Sequence, residues 1–289
     1  MKKKIVRSIA VLPTLLTLGN AFCGFLALAY VADALGGFGR NPDLGPDILL
    51  KRAAWLIFLG MVFDALDGFI ARLAGSDSNF GAELDSLCDV LTFGVAPAFL
   101  AKVLVQQEKG AMLSTHPRVV LWFAVLYVAC AVMRLARYNV ENMAGRKGPS
   151  SFFSGLPTPG AAGVLGSLIL LRYELLDNEA VQDFLGERFC AGGALYILHA
   201  LPFLVVALGF LMVSRIPFAH AVNWLTHGRR PFLYVIVLIF FLILVVFFTE
   251  IVFALIFVGY VVFSLGAFLI PGPWSREFRK LEEEDENTE

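Results

Sequence analysis

Eight stretches of this chain are apolar over close to the roughly 20 residues that a helix needs to cross a lipid bilayer. They run over about 11–32, 53–73, 85–106, 119–139, 157–174, 194–213, 231–249 and 251–270. Of the 289 residues 58% are hydrophobic and 16% charged, whereas a soluble domain carries about 25% charged residues. The composition predicts an all-α polytopic membrane protein, a bundle of about eight transmembrane helices packed within lipid. The fifth stretch opens Gly155-Leu-Pro157-Thr-Pro159-Gly and is expected to begin as irregular backbone. At membrane depth such backbone is tolerated only against protein or a water-filled cavity. Little more than Thr249 and Glu250 separates the last two stretches, which predicts a tight helical hairpin.

Lys and Arg orient such a bundle, because cytoplasmic loops carry the excess. With the N-terminus inside, the inner ends collect 15 of them, including Arg72, Arg134, Arg137, Arg146 and Lys147, and the outer ends 8. Both termini and the 73–84 turn are then expected on the cytoplasmic side of the inner (cell) membrane. The opening Met1-Lys-Lys-Lys-Ile-Val-Arg7 has the charge of a signal-peptide start. The apolar run after it, interrupted by Pro13 and Asn20, continues to about Val31 and reads as a retained first helix. Residues 1–9 read equally as a basic amphipathic helix on the inner leaflet or as an ordinary positive flank. Leu281 to Glu289 reads as a disordered acidic tail. Cys23, Cys88, Cys130 and Cys190 form no CxxC pair and read as small buried hydrophobes. His199, His220 and His227 lack metal-ligand spacing and read as structural or interfacial. The net charge of −1 points to no partner, and without a basic stripe nucleic acid binding has no support.

Asp64, Asp67, Asp85 and Asp89 lie within or at the rims of these apolar stretches. Carboxylates at membrane depth are costly and mark function. Asp64 and Asp67, at i and i+3, share one helix face, which Gly68 and Ala71 continue with almost no side chain. Asp85 and Asp89, at i and i+4, share a face of the next helix, with Gly81 one turn before them. A short turn from Leu73 to Leu84 would make the two helices antiparallel neighbours and bring both pairs to one depth. Four carboxylates there would repel unless cations neutralise them. Hard oxygen ligands suit Mg²⁺, Mn²⁺ or Ca²⁺, and two pairs suit two ions. Arg72 offers a further cation to a phosphate. The competing readings are a structural polar network, or the ion sites of a cation-coupled transporter. A transporter of that kind shows broken helices in both halves, and only the Pro157–Pro159 segment here is of that type.

The stretch resembles the CDP-alcohol phosphotransferase family. Its signature, D-x2-D-G-x2-A-R-x8-G-x3-D-x3-D, is matched at every fixed position by Asp64, Asp67, Gly68, Ala71, Arg72, Gly81, Asp85 and Asp89. The resemblance implies an enzyme that moves a substituted phosphoryl group from a CDP-linked donor to an alcohol and releases CMP. It implies a pair of divalent cations, Mg²⁺ or Mn²⁺, held by the four aspartates, with Asp89 as the base that deprotonates the alcohol. It further implies a CDP-lipid site made by Gly68, Ala71, Arg72, Ser78 and Gly81, a six-helix core, and a homodimer.

Four flanking segments resemble the family's phosphatidylserine synthase subgroup: Leu12-Pro13 through Gly19-Asn20 to Gly24, Arg134-Leu-Ala-Arg137-Tyr-Asn139, Gly155-Leu-Pro157-Thr-Pro159, and Met212-Val-Ser-Arg215-Ile-Pro217. The implied donor is CDP-diacylglycerol and the implied acceptor L-serine. Glycerol-3-phosphate, an inositol phosphate or choline as acceptor, and an archaeol lipid as donor, are the alternatives. Asn20 either caps polar contacts between helices or hydrogen-bonds the nucleotide of the donor. Arg134 and Arg137 either snorkel to headgroups or recognise phosphate or the serine carboxylate, with Asn139 assisting. The expected organisation is a catalytic membrane domain over 1–218, an additional helical hairpin over 219–270 and a charged cytoplasmic tail over 271–289.

Overall fold

The computed structural model describes residues 11–36, 44–74, 79–108, 116–143, 152–219 and 249–269. Its helices are α1 Val11–Ala34, α2 Pro46–Ala74, α3 Asn79–Asp89, α4 Ala96–Gln107, α5 Pro117–Met143, α6 Thr158–Asp177, α7 Glu179–Leu185, α8 Glu187–Val213 and α9 Thr249–Leu269. A π-helical turn, Val90–Val95, joins α3 to α4, and the three together make one span. Among the described residues seven helices are long and apolar enough to cross a membrane. The chain is thus the expected all-α polytopic membrane protein. The stretch at 231–249 lies outside the described residues, apart from Thr249, as do residues 1–9, His220, His227 and the tail.

Several helix ends differ from the hydropathy reading. Helix α2 starts at Pro46, well before residue 53, because Pro suits the first helical position and Asp47 complements the helix dipole there. Helix α8 starts at Glu187 rather than near 194. Gly186, with φ of +90°, ends α7 and turns the chain directly into α8. Thr249 and Glu250 form the first turn of α9, and the helical hairpin expected across them lies partly outside the described residues.

Two spans are central, the α3–α4 span and α6, and the others surround them. Small residues let the helices approach. Ala27, Val31 and Ala34 of α1 and Leu50, Ala53, Ala54 and Ile57 of α2 are all in the buried core. Gly163 of α6 faces the Phe257 ring of α9, where a side chain would collide. The fifth span opens irregularly, as expected, but only over Gly155–Pro157. Gly155 has φ of +82°, and a Cβ there would stand 2.7 Å from the carbonyl oxygen of Ser214. The Gly155 N–H donates to Ile216 O (2.9 Å) and the Leu156 N–H to Leu211 O (3.0 Å). Two three-residue strands extend this contact, β1 Phe152–Ser154 pairing antiparallel with β2 Pro217–Ala219. This ribbon ties the entrance of α6 to the exit of α8.

A polar belt ties α6 to α2 and α4 at the opposite end of the bundle. Lys51 pairs with Asp177, the Tyr173 hydroxyl donates to Asp47 Oδ1 (3.2 Å), and Arg172 donates to Glu108 Oε1 (2.6 Å). Exposed salt bridges contribute about 0–1 kcal/mol each. Arg172 is buried, and removing Glu108 would leave its charge uncompensated, which is the costly case.

Candidate active site

Helix α2 is two-faced near its C-terminal end. Val62, Leu66, Phe69 and Leu73 point outward, and Asp64, Asp67, Gly68 and Ala71 fall between them on the inner face. Helix α3 repeats the pattern, with Phe80 and Leu87 exposed and Asp85 and Asp89 turned inward. Carboxylate oxygens of Asp64, Asp67 and Asp85 all lie within 4.8 Å of one another. The two helices bring these side chains to one point, and α1 packs against both.

At about 4 Å, and with an effective dielectric near 20, each pair of like unit charges costs about 4 kcal/mol. Three carboxylates at this spacing therefore call for a cation. Asp67 Oδ2 and Asp85 Oδ1 are buried, and among the described residues neither has a hydrogen-bond partner. Unpaired, inward-facing oxygens on an all-carboxylate set fit a hard divalent ion.

Asp89 is placed differently. It is buried and stands outside the group of three. Its Oδ1 accepts a hydrogen bond from Asn20 Nδ2 at 2.9 Å. Asn20 is fully buried in α1 and its amide N–H joins α1 to Asp89, while its Oδ1 has no hydrogen-bond partner among the described residues. The Thr92 hydroxyl donates to the Asn20 backbone carbonyl at 2.9 Å.

The π-turn that begins after Asp89 has a local cause. Pro97 has no N–H to offer the Phe93 carbonyl one turn earlier, and its ring would clash there in a regular helix. The backbone widens, and the Ala96 N–H donates to Leu91 O, five residues back. The released Phe93 carbonyl accepts from the Tyr127 hydroxyl at 3.2 Å. Single π-turns inside helices are frequent at functional sites.

The remaining expected site residues separate into groups. Gly68, Ala71 and Gly81 are half-buried beside the cluster's helices. Arg72 lies in the last turn of α2, and Ser78 lies outside the described residues. Arg134 Nη1 donates to Thr158 Oγ1 (2.6 Å) at the start of α6, with its guanidinium 5.9 Å from the centre of the Tyr138 ring. It is near enough to Asp64 and Asp89 to attract both. Arg137 turns away to Glu141 Oε1 (2.7 Å). Asn139 bonds across to α3, its Nδ2 donating to Ser86 Oγ (2.9 Å) and, more weakly, to Glu83 Oε2 (3.4 Å). All four cysteines are buried and unbridged.

Sequence reasoning missed Thr92, Gly24 and Gly60, where the three segments around Asn20 converge. A Cβ at Gly60 would stand 2.6 Å from Thr92 Cγ2 and 2.9 Å from Asn20 Oδ1. A Cβ at Gly24 would run into the Thr92 hydroxyl. Gly60 lies one turn before Asp64 on the same face, and Pro97 lies four residues after Phe93; both signals are visible in the sequence.

The residues of this site lie within a stretch that matches known proteins. The CDP-alcohol phosphatidyltransferase family model matches residues 10–186. A CDP-diacylglycerol–serine O-phosphatidyltransferase of Helicobacter pylori is 30% identical over 232 residues, covering 79% of this chain and 78% of the relative. An enzyme of the same name from Saccharomyces cerevisiae is 38% identical over 169 residues, 56% of this chain and 55% of the relative. An archaetidylserine synthase of Methanothermobacter thermautotrophicus is 33% identical over 175 residues, 60% and 64% of the two chains.

Proposed function

The chain belongs to the CDP-alcohol phosphatidyltransferase family, and on that basis we propose that it transfers the phosphatidyl group of CDP-diacylglycerol to the hydroxyl of L-serine. The products are phosphatidylserine and CMP. The observation that carries the reading is the gathering of Asp64, Asp67 and Asp85 at one end of a membrane bundle, with Asp89 held beside them by Asn20.

The reaction forms one bond and breaks one. The serine hydroxyl oxygen attacks the phosphorus that carries the diacylglycerol, and the bond from that phosphorus to CMP breaks. Asp89 takes the hydroxyl proton as the new bond forms. Asp64, Asp67, Asp85 and Asp89 would hold two divalent cations, Mg²⁺ or Mn²⁺. When bound, they would supply positive charge to the pyrophosphate and the leaving CMP. Arg72 adds a fixed positive charge on the donor side, and Gly68, Ala71, Ser78 and Gly81 complete the nucleotide site in this reading. Arg134, Arg137 and Asn139 are assigned to the acceptor in this reading. Of the three, Arg134 is nearest in role to a carboxylate receptor, because it joins the start of α6 to the aspartates electrostatically.

The acceptor is tested by CMP release from CDP-diacylglycerol in detergent. Serine as sole acceptor is expected to support release, while glycerol-3-phosphate, an inositol phosphate and choline leave it at background. Equal release with any of those three would reassign the acceptor.

The site faces the cytoplasm in this reading, with the chain in the inner membrane and both termini inside, as the 15-to-8 distribution of Lys and Arg supports. Single cysteines introduced at positions 75–80 and 143–150 are expected to label from the cytoplasmic side. Those at 40–48 and 177–187 should label from the opposite side. The four native cysteines are buried and should give little background. Labelling of 75–80 from outside would invert the topology. The working assembly in this reading is a homodimer, which the mass of the detergent-solubilised particle would report.

A further inference from the structure

Three segments meet at one buried point: α1 at Asn20 and Gly24, α2 at Gly60, and the π-turn at Thr92. Thr92 and Asn20 are both fully buried. The hydroxyl of Thr92 points to α1 and donates to the Asn20 carbonyl, while its methyl sits over Gly60. Neither glycine position could carry a side chain without displacing Thr92. Asn20 in turn donates to Asp89 Oδ1, one helical turn before Thr92. The Thr92 bond goes to the Asn20 main chain, so it holds α1 at a set distance from the π-turn and with it the reach of the Asn20 amide to Asp89.

We propose that Thr92 is a positioning residue for the transfer reaction, fixing Asn20 and through it the carboxylate of Asp89. Asp89 and Thr92, three residues apart, both contact α1 at Asn20. The inference rests on the reading of Asp89 as the proton acceptor. Its effect falls on turnover rather than on donor binding, because Thr92 is sealed inside the bundle and Asp89 acts on the serine hydroxyl.

Thr92→Ser keeps the hydroxyl and loses only a methyl; Thr92→Ala loses both. Neither adds an atom to a tight site, so their ratio isolates the hydroxyl. The Ala variant is expected to show kcat about 10-fold below the Ser variant, since misplacement of a reacting group by about 1 Å can cost 10²-fold. The KM for CDP-diacylglycerol and the thermal unfolding midpoint should match between the two. If the Ala protein does not fold, Thr92→Val fills the same volume without the hydroxyl and is judged against Ser in the same way. Equal kcat in the Ser and hydroxyl-free variants would overturn the inference. So would a loss of kcat that comes with an equal loss of donor affinity and stability, which marks a merely structural role. Asp89→Asn measured alongside separates the two claims. Full turnover there refutes the base assignment itself, whereas an inactive Asp89→Asn beside an indifferent Thr92 refutes only the positioning role.

Discussion

Asp89→Asn is expected to lower serine-dependent turnover at least about 10²-fold, the usual effect of losing a positioned acid–base group. Asn keeps the shape of the side chain and its ability to accept from Asn20 Nδ2, so the fold around it should persist. What it loses is the capacity to take a proton, together with one negative charge of the metal-holding set. A neutral alcohol is a poor nucleophile near neutral pH, and the oxygen–phosphorus bond cannot form productively while the proton stays. Binding of CDP-diacylglycerol should largely survive, because Asp64, Asp67 and Asp85 remain to hold a cation against its pyrophosphate. Arg72→Ala is expected to show the opposite split, raising the KM for the CDP-lipid more than it lowers kcat. Titration of the CDP-lipid against each variant, with single-turnover CMP release, measures both. Near-normal turnover in Asp89→Asn would remove it from the chemistry.

Chelation of divalent cations should bring activity to background, and Mg²⁺ or Mn²⁺ should restore it. The three gathered carboxylates are the reason. Bringing their oxygens within 4.8 Å of one another is unfavourable unless a cation offsets the repulsion. Asp64→Asn, Asp67→Asn and Asp85→Asn are each expected to cost at least about 10²-fold in metal affinity, the upper end of what losing a ligand's supporting partner costs. The sign of the stability effect follows as well. An ion that binds only the folded state raises the wild-type melting temperature with its concentration. In the absence of ions each Asn variant should melt higher than the wild type, since one like charge has gone, and its response to added metal should be smaller. Calorimetric binding of Mn²⁺ and melting curves with and without chelator read these effects independently of activity. Full turnover in excess chelator would sink the metal assignment.

The spans were legible because hydropathy reports lipid contact directly. Their ends were not, because a helix continues through charged residues for as long as its backbone hydrogen bonds are met. Helix α2 begins in the polar belt of Asp47, Lys51 and Arg52, which hydropathy reads as loop. The carboxylates were legible through spacing alone, since i, i+3 and i, i+4 pairs share a face whatever surrounds them. How the two faces meet was not, because it depends on α1, which packs against both helices. The β1–β2 ribbon left no trace in periodicity, as its strands have only three residues each. The π-turn did leave one in Pro97, but a proline in an apolar run signals several outcomes, and only the Tyr127 and Thr92 contacts select this one. For Arg134, Arg137 and Asn139, sequence proximity suggested one acceptor site. Their partners lie on α6, within α5 at Glu141 and on α3 respectively, which spacing alone does not foretell.

The central claim is transfer of a phosphatidyl group to serine at the aspartate centre, and product stoichiometry tests it most directly. Purified protein is given CDP-diacylglycerol, divalent metal and labelled serine. CMP and lipid-extractable serine label are then counted in the same samples over time. The account predicts that the two rise together, one lipid-bound serine for each CMP, and that both vanish in Asp85→Asn. CMP released without labelled lipid, or labelled lipid formed unchanged by Asp85→Asn, would contradict it.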